Sequence, residues 1–363
     1  NAMNTEARRP LSYAKEACDT LMRKFAPEDL PPKPQFHYHQ GVFLSGMQKT
    51  YRLCGEEKYN AYLKAYVDAY IDGEGNVLHC NSGSMDDIMP GILLYDLYEQ
   101  TGDPRYKKAL DTLVGYIIDF RRNPEGGFWH KDVRPNQMWL DGLYMGGPIC
   151  AQYGKVFNRP LCFEVCAYQA LLMEARTKDE KTGLLYHAYD QSHAMDWCDD
   201  KGRSAEFWGR SIGWVPVAIE DELDFIPEDF APRKEMIRMT TDLLKALIPY
   251  QDEKTGLWYQ VVDKGDDPRN WLETSCSCLY VAALCKAVRM GYLDKAHLQF
   301  ARKGYEGVIS RLKWDEKGII IDGVCIGTGV GDYEHYLARP TSANDLHGMG
   351  AFILMCQEAE QVL

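Results

Sequence analysis

The segment Gln137-Met138-Trp139-Leu140-Asp141-Gly142-Leu143-Tyr144-Met145-Gly146-Gly147-Pro148 sets one carboxylate among apolar and aromatic neighbours. Such an Asp is either a helix N-cap or an acid kept in a dry setting. In a dry setting, desolvation raises the pKa and makes a usable general acid near neutral pH. The ring content favours the acid, and Gly-Gly-Pro suits the close backbone approach of a crowded pocket wall. A second acid lies in Ser82-Gly83-Ser84-Met85-Asp86-Asp87, ahead of the apolar run ILLYDL. Ser84 and Asp87 have the spacing of a capping box, which leaves Asp86 without a capping duty and free to enter a cleft. Trp129-His130-Lys131 and Tyr186-His187 each follow a recurring turn and are expected on the same rim. In Phe207-Trp208-Gly209-Arg210-Ser211-Ile212-Gly213-Trp214 an Arg stands between two Trp, either stacked for structure or forked onto a carboxylate beside an aromatic platform. Asp345 and His347 in TSANDLHG are secondary candidates, Asn344 or Asp345 also serving as a cap for the last helix. His37-Tyr38-His39 has no third metal ligand nearby, and Gly327-Thr328-Gly329-Val330-Gly331-Asp332 lacks the spacing and base of a nucleotide loop. No metal or cofactor is expected.

The elements that must carry these residues are helices. Asp-Glu-Lys-Thr-Gly at 179–183 and 252–256 recurs as Asp-Glu-Lys-Gly at 315–318, with weaker copies at 123–127 and 72–75. The equivalent glycines are taken as 75, 127, 183, 256 and 318. A second series of turns opens LCGEEKY, QTGDPRY and QYGKVFNRP, each followed by apolar residues at helical spacing. A period of roughly 50 to 60 residues belongs to helical arrays, solenoids and propellers. Two helices per repeat give about six repeats in 363 residues, an all-α (α/α)6 barrel, with the cleft at its turn-bearing end. An open helical array is the bland alternative. No linker divides the chain, so residues 3–363 are read as one domain and Asn1-Ala2 as the scar of a removed tag.

Composition narrows the partner. With 53 acidic against 41 basic residues and a net charge of -12, nucleic acid and anionic membrane are excluded as main partners. The 23 Tyr, 12 Phe and 8 Trp supply the flat faces that cores and sugar sites use. The 12 Cys, without a CxxC pair, read as reduced and buried; with no apolar leader after Met3, a cytoplasmic location is expected.

Asp86 in MDDIMPG, FWHK, MWLDGLYMGGP, GLLYHAYD, WGRSIGW and TSANDLHGMGAF together resemble glycoside hydrolase family 105, the unsaturated rhamnogalacturonyl hydrolases, which are similar to the family 88 unsaturated glucuronyl hydrolases. The resemblance runs from about Tyr38 to the C-terminus and implies an (α/α)6 barrel. It implies removal of a non-reducing-end 4,5-unsaturated uronic acid from pectin-derived rhamnogalacturonan oligosaccharides by hydration of the double bond. Asp141 then acts as acid and base, carrying its proton at rest, with Asp86 helping to raise its pKa. His130, Lys131, His187, Trp208, Arg210 and Trp214 match sugar-binding positions by motif, Arg210 and Lys131 being candidates for the uronate carboxylate, and Trp139 is assigned to the same sugar cleft as a substrate-binding aromatic. The family commonly places a small residue and Asn after the Arg, where Ser211-Ile212 stand here. The competing readings are a sugar 2-epimerase-like isomerase working through paired histidines, and a carbohydrate-binding toroid without turnover.

Overall fold

The computed structural model describes residues 8–363; the tag scar expected at Asn1-Ala2 lies outside them. Six helices form an inner ring: α2 (Tyr38–Cys54), α4 (Leu94–Thr101) with the 3-10 turn Met89–Leu93 before it, α6 (Gly142–Val156), α8 (Gly209–Leu223), α10 (Thr274–Arg289) and α13 (Leu346–Val362). Each packs on the next and α13 packs on α2, so the ring closes and an open array is ruled out. Five outer helices follow their inner partners: α3 (Glu57–Tyr70), α5 (Pro104–Ile118), α7 (Leu161–Thr177), α9 (Arg233–Leu247) and α11 (Leu298–Ser310). The sixth outer place is taken by α1 (Pro10–Lys24), which packs against α13, so the two ends of the chain complete the last hairpin. This is the expected (α/α)6 barrel.

Burial explains the two rings. In α10 and α13 all but the last residues are buried, because an inner helix has neighbours on every side; outer helices such as α9 and α11 bury a single stripe. The recurring turns leave the outer helices for the cleft end. Gly75, Gly126, Gly183 and Gly256 all take positive φ there, a conformation that disfavours any residue with a Cβ. The second turn therefore uses Gly126 and not Gly127. In the other series Gly55 and Gly102 end α2 and α4 in the left-handed conformation, whereas α6 runs on through Gly154 and turns at Asn158, φ 52°. All twelve cysteines are free thiols, nine of them buried. No helix among the described residues is long and apolar enough to cross a membrane.

Candidate active site

A three-residue ladder sets the central pair. β1 (Gln137–Trp139) runs antiparallel to β2 (Ala188–Asp190) with Trp139 opposite Ala188, and the Leu140 amide donates to the His187 carbonyl at 3.0 Å. The pairing brings Asp141, at the head of α6, beside His187, and His187 Nε2 lies 3.2 Å from Asp141 Oδ1. Asp141 makes no side-chain cap bond, so the N-cap reading falls. Burial by itself raises its pKa, but the hydrogen bond from His187, with the electrostatic contribution of the His187 and His130 rings, outweighs it and holds the carboxyl below its ordinary value. That direction is opposite to the raised pKa expected of an Asp among apolar neighbours. His130 and His187, not Asp86, are the neighbours that tune it.

Asp86 occupies the 3-10 turn Met85–Asp87, tied to the next hairpin by a bridge between Ser84 and Lys131. Its carboxylate meets Lys131 Nζ at 3.2 Å and His130 Nε2 at 3.6 Å. The His130 ring lies flat on Trp139, centroids 4.5 Å apart, and burial lowers its pKa so that it stays neutral. The capping box is not formed. Asp87 instead turns beneath the cleft to take His37 Nδ1 at 2.6 Å and the Asn81 amide at 2.7 Å. A tight turn of adjacent acids sends one carboxylate to each side.

The cleft measures about 850 Å³, within the range of ligand pockets. It is lined by Asp86, His130, Lys131, Trp139, Asp141, Trp208, Arg210 and Trp214 from the candidates, and by His37, Tyr38, His39, Arg134, Met145 and the loop Gly327–Gly329 besides. Trp208 and Trp214 are almost fully buried and form its floor, while Arg134, Gly327 and Gly329 are exposed at the mouth. Tyr38 and His37 enter because α2 begins there, a role the H-x-H pattern alone does not show when it is weighed only for metal. The glycine loop lacks any chemical signature in sequence, and only its place over the cleft reveals it.

Several expectations are corrected. His187 is fully buried, with Nδ1 on the Tyr336 hydroxyl at 2.8 Å and Nε2 on Asp141; it serves Asp141 and does not line the cleft. Arg210 reaches the lining, and three of its five guanidinium N–H groups go to the carbonyls of Cys325 and Ile326 at 2.5 and 2.8 Å and to Ser275 Oγ at 3.2 Å. These contacts make it a clamp stacked on Trp208, the structural one of its two expected roles. Asp345 and His347 lie outside the cleft lining: His347 is buried with Nε2 on the Cys325 carbonyl at 3.0 Å, and Asp345 heads α13 without a side-chain cap. Asn344 pins Ile319 and Ile321 instead of capping. Gly146 and Gly147 do allow close approach, but to Met85 and Glu222: an added Cβ would stand 2.9 and 2.5 Å from their side chains.

A helical toroid whose turn-bearing end holds an aromatic-floored cleft and a tuned Asp defines a carbohydrate-active enzyme. The model of Glycosyl Hydrolase Family 88 matches residues 13–363. The structure is similar to that of a family 105 glycoside hydrolase from C. acetobutylicum, with 33% identity, a TM-score of 0.92, and coverage of 96% of this chain and 99% of that one. The unsaturated rhamnogalacturonyl hydrolase YesR of Bacillus subtilis is 28% identical over 299 residues, 80% of this chain and 79% of its own length. The unsaturated glucuronyl hydrolase of Bacillus sp. GL1 shares the fold, with a TM-score of 0.73 at 13% identity, over 96% and 95% of the two chains. The chain belongs to the glycoside hydrolases of families 88 and 105.

Proposed function

We propose that the protein removes a 4,5-unsaturated uronic acid from the non-reducing end of rhamnogalacturonan oligosaccharides by hydrating the double bond. The observation that carries this is the isolation of Asp141. Ordinary glycosidases pair a free acid with a free carboxylate, but Asp86 here is ion-paired with Lys131. One Asp must give a proton and take one back. Protonation at C4 leaves positive charge at C5; the Asp141 carboxylate then draws a proton from water as its oxygen adds at C5. The resulting hemiketal opens and releases the remaining sugar. The N-termini of α2, α6 and α8 open on the cleft and favour an anion there. With most Arg210 donors on Ser275 and the Cys325 and Ile326 carbonyls, the cations best placed for the uronate are Lys131 and Arg134. The isomerase reading loses ground because His187 has both nitrogens engaged, so His130 and His187 cannot work as a pair of free bases.

The test is loss of the ultraviolet absorbance of lyase-generated unsaturated disaccharides, with product analysis across a panel that varies the sugar next to the uronate. Absence of turnover with any of them overturns the reading. Replacing Lys131 by Met is expected to raise KM for the uronate substrate roughly tenfold or more, since it removes a charge-assisted contact. A saturated, esterified analogue that competes with substrate would feel the change much less.

The pH dependence follows from Asp141. Because the free carboxyl is held below its ordinary value, the protonated, working form is lost as pH rises through that low value. The kcat/KM profile is therefore expected to fall on its basic side at acidic pH. Bound uronate brings a negative charge that favours the neutral acid, so the basic limb of kcat should lie at higher pH than that of kcat/KM. Coincident limbs would count against Asp141 as the acid.

A further inference from the structure

We propose that Tyr336 is a positioning residue for this reaction: its hydroxyl holds His187 as the Nε2–H tautomer, and that N–H steadies the carboxylate Asp141 becomes when it yields its proton. The inference rests on the proposed role of Asp141 and extends it to a residue outside the cleft lining. Tyr336 sits on the short helix α12 (Tyr333–Leu337), fully buried against Trp208, Val261 and Cys325. Its backbone carbonyl accepts from Gln260 Nε2 at 3.0 Å, which fixes its place.

The proton positions follow from the partners. A carboxylate only accepts, so the nitrogen facing Asp141 at 3.2 Å carries hydrogen. Neutral imidazole then has a lone pair at Nδ1, and the partner there is the Tyr336 hydroxyl at 2.8 Å. That oxygen also accepts the Gly331 amide at 3.4 Å, so its single hydrogen is left for His187. Burial pushes the hydroxyl's pKa up, and it stays a donor. The imidazole ring is boxed by Trp139 and Trp208, centroids 5.5 and 4.8 Å away, and cannot turn to trade its nitrogens.

The consequence concerns where charge develops. As C4 is protonated, Asp141 passes from neutral acid to anion, and a fixed N–H aimed at it favours the products of that transfer. The other tautomer would turn a lone pair toward Asp141, oppose the anion and accept its proton, making a weaker acid. Phe at 336 leaves Nδ1 with no donor and permits that tautomer. The charged and titratable groups around the pair are His130, Asp86 with Lys131, Tyr38 and Arg210 on the cleft side, and Glu206 and Asp332 on the Tyr336 side. None of them is hydrogen-bonded to Nδ1.

The experiment compares wild type with Tyr336→Phe in two readouts. The first is the pH profile on an unsaturated rhamnogalacturonan disaccharide. The second is the His187 tautomer from nitrogen-15 NMR, assigned by loss of its signals in His187→Gln. Wild type is expected to show Nε2–H. The variant is expected to gain the Nδ1–H form, lose about tenfold to a hundredfold in kcat, and shift the basic limb of kcat/KM to higher pH. A wild-type enzyme with Nδ1–H, or a variant with unchanged tautomer and limb whatever its rate, overturns the inference. A wild type that turns over no unsaturated substrate fails the proposed function instead, and the tautomer still decides the role of Tyr336.

Discussion

Asp141→Asn is expected to abolish consumption of the unsaturated substrate while leaving the fold in place. General acid catalysis contributes about 10² to 10⁴ in rate, and the same group is used twice here, as acid at C4 and as base toward water. A fall in kcat at or beyond the upper end of that range is expected from absorbance decay at saturating substrate. Asn is isosteric, and Asp141 forms no side-chain cap on α6, so no helix cap is lost. The Asn oxygen can still accept from His187 Nε2. KM should change little, because Lys131, Arg134 and the Trp floor are untouched. Stability supplies a second reading. A carboxyl whose pKa is depressed on folding stabilises the native state above its unfolded pKa, and that contribution is lost as pH falls through the folded value. The melting temperature of wild type should therefore exceed that of the variant most at neutral pH, and the two should converge in acid. Retained turnover by the variant would remove Asp141 from the chemistry and with it the whole hydration scheme.

What the sequence discloses and what it hides divide along range of contact. Asp141 and Asp86 stand out because their own neighbours in the chain are informative: rings around one, a capping alternative beside the other. The barrel is legible because a turn that needs positive φ recurs at the exits of α3, α5, α7, α9 and α11. Contacts that cross hairpins leave no such trace. Apolar neighbours of Asp141 predict a raised pKa, but the group that decides the direction is His187, 46 residues on. His187 is recognisable as a rim residue, yet its second partner, Tyr336, is 149 residues away. The pairing of α1 with α13 joins opposite ends of the chain, and a period read within the repeats cannot reveal it. The Ser84 and Asp87 spacing is right for a cap, but a hydrogen bond to His37 from another hairpin competes for the same carboxylate and wins. Ser211-Ile212 is a similar case. Ser211 Oγ bonds the Trp208 carbonyl at 2.9 Å and Ile212 is in the core, so neither lines the cleft where the family motif places a polar contact.

Arg210→Met is expected to act first on stability and through it on catalysis. Arg210 is only 3% exposed, and its donors hold the chain at Cys325 and Ile326, where the loop Gly327–Gly329 leaves to cover the cleft. Glu273, fully buried at the head of α10, grips the same segment through the Cys325 amide at 2.9 Å and shares Ser275 with Arg210. His347 adds its bond to the Cys325 carbonyl. Three inner helices thus hold one strap from below, while Arg339 holds it at the rim through Thr328 Oγ1 at 3.1 Å. Met fills much of the same volume on Trp208 but takes the charged donor from Ser275 and from the Cys325 and Ile326 carbonyls, which keep His347 and Thr328 as partners. Losing buried hydrogen bonds from a charged donor costs about 1.5 to 3 kcal/mol each, so a drop of several degrees in melting temperature is expected. Lys at 210 would restore charge but not the fork, and only part of the loss should return. A uronate-gripping Arg makes the opposite forecast: a raised KM, an unchanged melting temperature, and selective loss for acidic substrates. The strap instead predicts a fall of about tenfold or more in kcat, in proportion to the mobility given to Gly327–Gly329, because positioning groups displaced by an ångström cost rate steeply. Calorimetry beside steady-state kinetics on Arg210→Met and Arg210→Lys separates the two, since only a clamp links the melting temperature to kcat.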